Sequence, residues 1–318
     1  MASLLADPFY PNPVYYCYNK AVPSLPVGLP VPNPLPVPLG GFAVGASFCA
    51  VSYDGGTTFP VDRLAVDSDM DGCGGINGHP ASAPDGTLYL PITLGCAGPV
   101  VGVSVDNGLT WTVRHGPTTF GAEELDPDVT VTPDGTAYML YRGTDHLQYL
   151  VRSHDRFANW DGPWRVTPPD VRSSVFAGIT SGDDGRIAMS YLATRDTAEE
   201  PSKAPNATRW HVYVTMSLDA AAATPTFATT QVSSDSDPVQ IGCIWLNGGG
   251  NPCRNLLDFI DMTSDRDGRL YVVYSDGCRD ACAGNATATN LQSRNREVSI
   301  VTMVEGPSLL AVKGLLKE

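Results

Sequence analysis

Apolar and polar residues alternate with a period of two in short segments along the whole chain, and several of these segments are joined by an Asp-Gly pair. Asp-Gly between alternating runs is a strong signal for a β-hairpin, because glycine supplies the positive φ that a tight turn requires. A similar hairpin, with Pro-Asn-Pro in its turn, is predicted for residues 2–19. The chain is therefore predicted to be all-β, with Asp-Gly hairpins turning at 85–86, 134–135, 184–185 and 267–268.

A second pattern, Ser-x-Asp-x-Gly-x-Thr-aromatic, begins at Ser52 and again at Ser104. Degraded copies begin at Ser153 and Ser217, the latter with Asp219 and Phe227. We predict that the aspartate accepts backbone N–H groups across a turn, that glycine adopts the left-handed conformation, and that the aromatic ring closes the sheet. These aspartates are predicted to be structural and not catalytic. The residues assigned to the pattern are Ser52, Asp54, Gly56, Phe59, Ser104, Asp106, Gly108, Trp111, Ser153, Asp155 and Trp160.

These turns are Asp boxes, and the chain resembles the sialidase-type β-propellers built from bacterial neuraminidase (BNR) repeats over about residues 1–310. The resemblance implies a single domain, 1–318, of four-stranded antiparallel blades. Five blades are visible, whereas sialidases resemble one another in having six. A sixth blade upstream or too divergent to recognise, a five-bladed ring, and an edge completed by another chain all stay open. The predicted blades are about 1–66, 78–116, 126–168, 173–233 and 256–313.

The meander order of strands predicts two different faces. The Asp-Gly and Asp-box turns fall on one face and are short, whereas the links on the other face include every long irregular segment. Long loops on a rigid scaffold are where binding and catalytic groups usually lie. The proline-rich segment 22–39 belongs to this loop face, and we expect it to pack as a strap against its own domain or against another subunit.

Composition excludes several classes of function. Glycine (32) and proline (27) are too frequent for a protein of long helices, while 42% apolar and 17% charged residues are enough for a full core. The formal net charge of −14 repels phosphate backbones, so nucleic acid is excluded as a partner. No run of 18 apolar residues occurs, so no membrane span is predicted.

Eight cysteines, without the spacing of a zinc site, favour disulfides over buried free thiols. The sequons at Asn206 and Asn285 are typical of a glycoprotein. The cysteines lead us to expect an extracellular or cell-surface protein, and because the amino terminus lacks the pattern of a signal peptide, we expect that the export signal is not in this chain. The predicted pairs are Cys17 with Cys49, Cys73 with Cys96, Cys243 with Cys253, and Cys278 with Cys282.

The segment Asp67-Ser-Asp69-Met-Asp71-Gly has the order of acidic residues with which calcium loops surround the ion. Residue 78 is glycine, where an EF-hand would need glutamate, so any calcium site must be completed by other loops. A solvated acidic link is the alternative. Calcium is the only cofactor that we expect.

The resemblance to sialidases implies an arginine triad, a tyrosine nucleophile with a partner glutamate, and an aspartate acid/base. The Phe-Arg-Ile-Pro motif of sialidases is absent, so structural roles are the alternative for each candidate. His79 and His146 are expected to support neighbouring side chains. The candidate catalytic residues are Glu124, Asp128, Arg142, Arg254 and Asp258.

Two functions follow from these patterns. The first is a secreted, glycan-directed propeller, either a glycoside hydrolase or a carbohydrate-binding protein. The alternative is a non-catalytic extracellular interaction or assembly module, such as a structural, filament or surface-layer protein, which would associate through an open blade edge or the proline-rich segment. Its partner would be a glycan or an extracellular protein surface.

Overall fold

A computed structural model describes residues 2–6, 13–21, 44–67, 73–74, 76–123, 126–246, 251, 253, 256, 260–278, 282 and 297–316. These residues form β-strands and two short 3₁₀ turns, Pro201–Lys203 and Ala311–Lys313, and include no α-helix. The all-β prediction is confirmed. No helix in this part of the chain is long and apolar enough to span a membrane. The proline-rich segment 22–39 lies outside the described residues.

Most strands belong to five antiparallel sheets, in each of which strands consecutive in sequence are hydrogen-bonded neighbours. The first sheet contains β1 (Ala2–Ala6), β2 (Val14–Ala21), β3 (Val44–Ser52) and β4 (Val61–Asp67). The second contains β5 (Ala81–Ser82), β6 (Leu88–Ile92), β7 (Val100–Ser104) and β8 (Thr112–His115). The third contains β9 (Asp128–Val131), β10 (Ala137–Arg142), β11 (Gln148–Ser153) and β12 (Asp161–Arg165).

The fourth sheet contains β13 (Ser173–Ser181), β14 (Ile187–Thr194), β15 (Arg209–Ser217) and β16 (Ala228–Gln231), with β17 (Gln240–Ile241) paired to β15. The fifth contains β18 (Ile260–Ser264), β19 (Leu270–Asp276) and β20 (Glu297–Thr302). A separate pair is formed by β21 (Gly306–Pro307) and β22 (Leu315–Leu316). The sheets lie within or close to the five predicted blade ranges, and the blade number stays a prediction.

The first strand of each sheet from the second to the fifth lies towards a common axis. β9 packs against β5 on one side and β13 on the other, and β13 packs in turn against β18. Every residue of β10 and β11 is buried, because the third sheet is covered on both faces. A large core cluster with many tyrosines, among them Tyr89, Tyr138 and Tyr191, fills the spaces between the second, third and fourth sheets. This packing holds the inner strands in place around the axis.

The predicted Asp-Gly hairpins are confirmed by backbone geometry. The glycines at 86, 135, 185 and 268 have φ of 81°, 85°, 71° and 75°, a region that other residues adopt at a steric cost. They join β5 to β6, β9 to β10, β13 to β14 and β18 to β19. The same short connection therefore recurs in four sheets.

The Ser-x-Asp turns contain carboxylates that are already bonded to the backbone. Asp54 Oδ1 accepts the N–H of Thr58 at 2.8 Å and the hydroxyl of Ser52 at 2.7 Å. Asp106, Asp155 and Asp219 accept a backbone N–H from residues 110, 159 and 226 in the same way. The N–H of Thr58 is the main cause that lowers the pKa of Asp54 to about 2. These carboxylates organise turns, and their proton affinity is too low for acid catalysis near neutral pH.

All eight cysteines are paired, which confirms the predicted disulfides. Cys17 and Cys49 lie opposite each other on β2 and β3 with 4.1 Å between their Cα atoms. The other three bonds lie at the loop face, between Cα atoms 4.7 to 5.4 Å apart: Cys73 to Cys96, Cys243 to Cys253, and Cys278 to Cys282. They therefore restrain the long links of the predicted functional face.

Candidate functional site

Short turns of adjacent sheets meet on one face of the molecule. The N–H of Asp134 donates to Asp184 at 2.8 Å, which joins the Asp-Gly turns of the third and fourth sheets. Arg156, in a Ser-x-Asp turn, binds Asp85 in the Asp-Gly turn of the second sheet at 2.8 Å. The strands β5, β9 and β18 each end at an Asp-Gly turn on this face. Their first residues therefore lie at the opposite, loop-rich face.

Four titratable side chains lie close together at this loop-face end of the axis: His79, Asp126, Asp128 and Asp261, which we call the axial cluster. His79 forms a parallel bridge with Asp128, and its N–H donates to Pro127 O at 3.1 Å. His79 Nδ1 lies 3.8 Å from Asp128 Oδ2. Three different sheets or their links therefore supply one charged cluster.

Contact with Asp128 and burial shift the pKa values of His79 and Asp261. The carboxylate of Asp128 raises the pKa of His79 to about 9, against the opposing effect of burial, and the charges of Asp126 and Asp261 act in the same direction. Burial, followed by the negative charge of Asp128, raises the pKa of Asp261 above its usual range. Asp261 is nevertheless accessible to solvent. At neutral pH the imidazole is therefore cationic, while Asp261 holds its proton more strongly than an ordinary aspartate.

Two of the three aspartates in the axial cluster, Asp128 and Asp261, also accept backbone N–H groups. Asp128 Oδ2 accepts the N–H of Ile179 in the next sheet at 2.9 Å, and Asp128 Oδ1 accepts its own neighbour's N–H, from Val129, at 2.8 Å. Asp261 Oδ1 accepts the N–H of Met262 at 2.7 Å. Asp128 therefore links two inner strands, and these bonds hold both carboxyl groups in defined positions.

A glycine lets the fourth sheet approach this cluster. A Cβ on Gly178 would lie 3.6 Å from the Cα of Asp261 and 3.0 Å from Ser190 Oγ. The bare backbone of β13 therefore permits the close approach of β18. Beside the axial cluster, the fourth sheet therefore has a glycine, whereas the second, third and fifth sheets contribute ionisable side chains.

A second polar group surrounds Arg142, at the loop-face end of β10. The guanidinium is buried, with Nη2 3.7 Å from Glu123 Oε2 and Nη1 donating to Ser174 O at 3.4 Å. Glu123 Oε2 also lies 3.0 Å from His146 Nδ1. The N–H of Ser174 donates to His146 O at 2.8 Å. Arg142 thus links the third sheet to the fourth through the carbonyl of Ser174, while Glu123 pairs with its charge, an arrangement typical of a structural cation.

A groove of about 790 Å³ lies elsewhere, between β15 and β16 of the fourth sheet and β19 and β20 of the fifth. Its walls are mostly aliphatic, including Val214, Met216 and Val272, and Glu305 is its only titratable lining residue. It lacks the pair of ionisable groups that acid/base chemistry requires. The axial cluster is therefore the better candidate site.

The structure describes two of the five candidate catalytic residues, Asp128 and Arg142, and places them in separate groups. Glu124, Arg254 and Asp258 lie outside the described residues, as do Asp69, Asp71 and Asn285. Asp67 ends β4 and is half-buried, and Asn206 is exposed in a turn before β15. In the described residues, no three His, Cys, Asp or Glu side chains are arranged to hold a metal ion. The calcium site stays a prediction.

Sequence reasoning gave His79 only a supporting role and did not select Asp261, although one signal identifies both. The signal is a shared repeat position, six residues before the aspartate of an Asp-Gly turn. The residues at this position are His79, Asp128, Gly178 and Asp261, which precede Asp85, Asp134, Asp184 and Asp267. Because equivalent positions of successive blades face the same axis, aligning the repeats brings these residues together.

A model of the BNR repeat-like domain matches residues 38–232, which is more than half of the chain. The chain belongs to this BNR repeat-like family. The resemblance to sialidase-type propellers is confirmed, and the five antiparallel sheets are those of a β-propeller fold. No curated protein matches the chain.

Several solved structures are similar to this BNR repeat-like chain. A protein of unknown function from Dyadobacter fermentans has 14% identity and a TM-score of 0.49, over 86% of this chain and 71% of that one. The leech intramolecular trans-sialidase has 12% identity and a TM-score of 0.48, over 81% of this chain and 36% of that one. The GH93 α-L-arabinofuranosidase of Fusarium graminearum has 12% identity and a TM-score of 0.45, over 95% and 92%. At such values the likenesses say nothing about a substrate.

Proposed function

We propose that this chain binds and hydrolyses a glycan at the axial cluster. The observation that supports this function is the convergence of His79, Asp128 and Asp261 at one repeat position, on the face that carries the long loops. Perturbed ionisable groups at the mouth of a rigid scaffold are typical of catalytic sites. The BNR repeat-like fold does not by itself imply a function, so the proposal is based on the chemistry of the axial cluster.

The two aspartates suit different steps of glycoside hydrolysis. This reaction uses one protonated carboxyl group, which donates to the leaving oxygen, and one ionised carboxylate, which activates water or stabilises the developing positive charge. Asp261 suits the acid, because burial and the charge of Asp128 raise its pKa and because it is accessible. Asp128 suits the second role, because its carboxyl group lies 3.8 Å from Nδ1 of His79, whose pKa is raised to about 9. His79 is a positioning residue that acts through Asp128.

The charge of the cluster favours a neutral sugar over an acidic one. In the described part of the axis, three carboxyl groups surround a single cation, His79, and Arg142 is engaged with Glu123 instead. A sugar carboxylate would need a guanidinium to bind it in bidentate geometry. We therefore expect a neutral glycan, and this expectation departs from the sialidase-like one.

Turnover of fluorogenic glycosides by the purified chain tests the proposal. The panel contains neutral pyranosides, neutral furanosides and a sialoside. We expect turnover of a neutral substrate, and a fall in kcat of about 10²- to 10⁴-fold in Asp261→Asn, the range over which a positioned acid contributes. The matched control is Asp170→Asn, because Asp170 is an exposed carboxylate that pairs with Arg195 near the outer strand β16.

Other outcomes separate the alternative functions. A glycan that binds but is not cleaved, with affinity lost in Asp261→Asn, would mean a carbohydrate-binding protein at the same site. No binding and no turnover across the panel would refute the glycan proposal and favour the non-catalytic interaction or assembly module. A sialoside as the sole substrate would refute the preference for neutral sugars.

We further propose that the protein works outside the cell. The four disulfides fit an extracellular protein, because such bonds persist in oxidising compartments. The side chain of Asn206 is exposed and therefore accessible to glycosylation. We also propose that Asp67, Asp69 and Asp71, in the acidic link that begins at the end of β4, bind calcium. Intact mass before and after glycosidase treatment of the secreted protein tests the modification.

A further inference from the structure

In the described residues, the fifth sheet lacks the Ser-x-Asp turn and the fourth strand that the other four sheets contain. Its last strand, β20, pairs with β19, and no described strand pairs with its other edge. Val301 pairs with Val272 here as Gly102 pairs with Leu90 in the second sheet. In this register, three residues occupy the positions of the serine, the aspartate and the aromatic residue of the turn. They are Met303, Glu305 and Leu310.

The chain that follows β20 leaves the edge of the fifth sheet and crosses to the fourth. The N–H of Asp183 donates to Leu309 O at 3.0 Å, and Arg186 Nη1 donates to Ser308 O at 2.8 Å. The side chain of Leu309 is fully buried in the core cluster that the two sheets share. Residues 303–316 are therefore held near the short turns and do not add a strand to β20.

The second edge of β20 presents backbone groups that no described strand pairs. The N–H of Met303 donates to Leu270 O at 3.0 Å, so the backbone groups of Met303 face β19. Because the direction of these groups alternates along a strand, the N–H and C=O groups of Ile300 and Thr302 face the other edge. In the second sheet the equivalent edge belongs to β7, and β8 pairs with it. An edge of this kind accepts a further strand.

An aliphatic groove lies alongside this edge. It is the groove of about 790 Å³ between the fourth and fifth sheets, and Val301 and Thr302 of β20 line it. Leu270 and Val272 form part of its wall, and they are the third and fifth residues after the aspartate of an Asp-Gly turn. We call this groove and the second edge of β20 together the edge groove.

In the second sheet, the aromatic residue of the Ser-x-Asp turn covers the equivalent positions. Leu88 and Leu90 occupy these positions, and Trp111 packs against the two core clusters that contain them. Trp160 and Phe227 likewise pack against the cluster that joins the second, third and fourth sheets. The chain itself therefore shows what fills such a groove. It is a large aromatic side chain, followed by a strand that pairs with the edge.

We propose that the edge groove binds an extended peptide segment of another protein, which adds a fourth strand to β20 and places an aromatic side chain between the fourth and fifth sheets. Two residues later, an aliphatic side chain faces the groove, as Val113 follows Trp111 and packs against a buried cluster. Main-chain hydrogen bonds give such a contact its affinity, and pockets for alternate side chains give its specificity. The inner strands of the axial cluster take no part, so this inference goes beyond the proposed glycan function and does not depend on it.

The chemistry of the edge groove favours a neutral or basic strand over other occupants. Glu305 is the only titratable residue that lines the groove, and the net charge of −14 repels an acidic segment. A small apolar ligand would use the groove but not the backbone groups of Ile300 and Thr302. A strand with an aromatic residue uses both, as in the other sheets.

A fluorescein-labelled peptide copied from the second sheet tests the proposal. Residues 108–115, Gly-Leu-Thr-Trp-Thr-Val-Arg-His, contain Trp111 and Val113 at the proposed spacing and carry no acidic side chain. By fluorescence anisotropy, we expect saturable binding to the purified full chain below about 1 mM. A peptide with Trp111→Ala should bind at least about 30-fold more weakly, because a buried aromatic anchor dominates the affinity of such contacts.

Two variants of the chain test the edge and the groove separately. Ile300→Pro removes an N–H that faces the second edge and keeps the hydrogen bonds to β19, so it should lose the peptide and remain folded. Ile300→Thr is its matched control, because it keeps both the N–H and the β-branched shape and should bind the peptide normally. Met216→Trp fills the groove from the fourth sheet, so it should exclude the peptide and raise the melting temperature.

Four results would overturn the proposal. One is a folded chain that does not bind the peptide up to about 1 mM, as expected if another part of the same chain fills the groove. Another is equal binding of the Trp111→Ala peptide, or equal binding by folded Ile300→Pro, which would place the contact elsewhere. A third is free indole that binds as tightly as the peptide, which would assign the groove to a small apolar ligand. The fourth is a dimer of the chain alone that Ile300→Pro dissociates in analytical ultracentrifugation, which would make a second copy the occupant.

Discussion

Gly78→Ala tests the geometry of the axial cluster most directly. A Cβ on residue 78 would lie 1.7 Å from the carbonyl oxygen of Pro127, whereas real Cβ contacts are essentially never below 3.0 Å. The two backbones must therefore separate by more than an ångström. The hydrogen bond from His79 N–H to Pro127 O, now 3.1 Å, would break, and the imidazole would move away from Asp128.

The expected cost combines two effects. Loss of one backbone hydrogen bond costs about 1 kcal/mol, and overpacking against rigid backbone costs about 1–3 kcal/mol. The free energy of unfolding should therefore fall by about 2–4 kcal/mol, which lowers the melting temperature by about 3–6 °C, because the entropy of unfolding of a chain of this length is about 0.7 kcal/mol/K. The pKa of His79 should fall from about 9 towards the ordinary value of 6.5, since Asp128 is the main cause of its increase.

Thermal unfolding followed by circular dichroism measures the stability, and NMR titration of the histidine ring measures the pKa. Gly55→Ala is the matched control, because a Cβ there meets nothing within 4 Å and only the positive φ of 71° opposes the substitution. That change should cost about 1 kcal/mol and leave the pKa of His79 unchanged. If Gly78→Ala left both the melting temperature and the pKa of His79 unchanged, the described contact between the second and third sheets would be wrong.

Three further predictions concern His79, the disulfide bonds and the acidic segment that follows β4. The raised pKa of His79 stabilises the fold fully below pH 6.5, and this stabilisation is lost as pH rises through about 9. The melting temperature should therefore fall over that pH range. His79→Gln should remove the part of this pH dependence that His79 causes. Replacing Cys17 and Cys49, which are 32 residues apart, by alanine should lower the free energy of unfolding in urea by about 3.7 kcal/mol. The same change at Cys278 and Cys282, which are 4 residues apart, should lower it by about 1.9 kcal/mol, because a shorter loop restricts the unfolded chain less. Equal losses would contradict this loop-entropy explanation. Excess chelator should lower the melting temperature if the acidic link after β4 binds calcium, and an unchanged midpoint would exclude a stabilising site there.

The local elements of this fold are predictable because their determinants are adjacent in sequence. Alternation, Asp-Gly turns and the Ser-x-Asp pattern each act over fewer than ten residues, so they predict hairpins before any packing is known. The disulfide between Cys17 and Cys49 follows from the same hairpin order, since strands paired in a meander bring those positions opposite each other.

The candidate site was less predictable from composition and motif. Charge and position indicate Asp128 as a candidate, but they do not distinguish His79 and Asp261, because a single histidine or aspartate carries no local signature of its role. Arg142 shows the opposite error, in which a residue type suggests a binding role that the structure does not support. Its residue type suits a sugar carboxylate, yet Glu123 and the carbonyl of Ser174 already bind the guanidinium.

By itself, the sequence determined the all-β class and the repeating hairpins, in which His79, Asp128, Gly178 and Asp261 occupy one repeat position, six residues before each Asp-Gly aspartate. Tertiary structure decided what these positions do together. The pKa of His79 depends on a carboxylate 49 residues away in the chain but 3.8 Å away in space. Electrostatic coupling falls with distance through space and not along the chain, so only the arrangement of the sheets shows which charges interact.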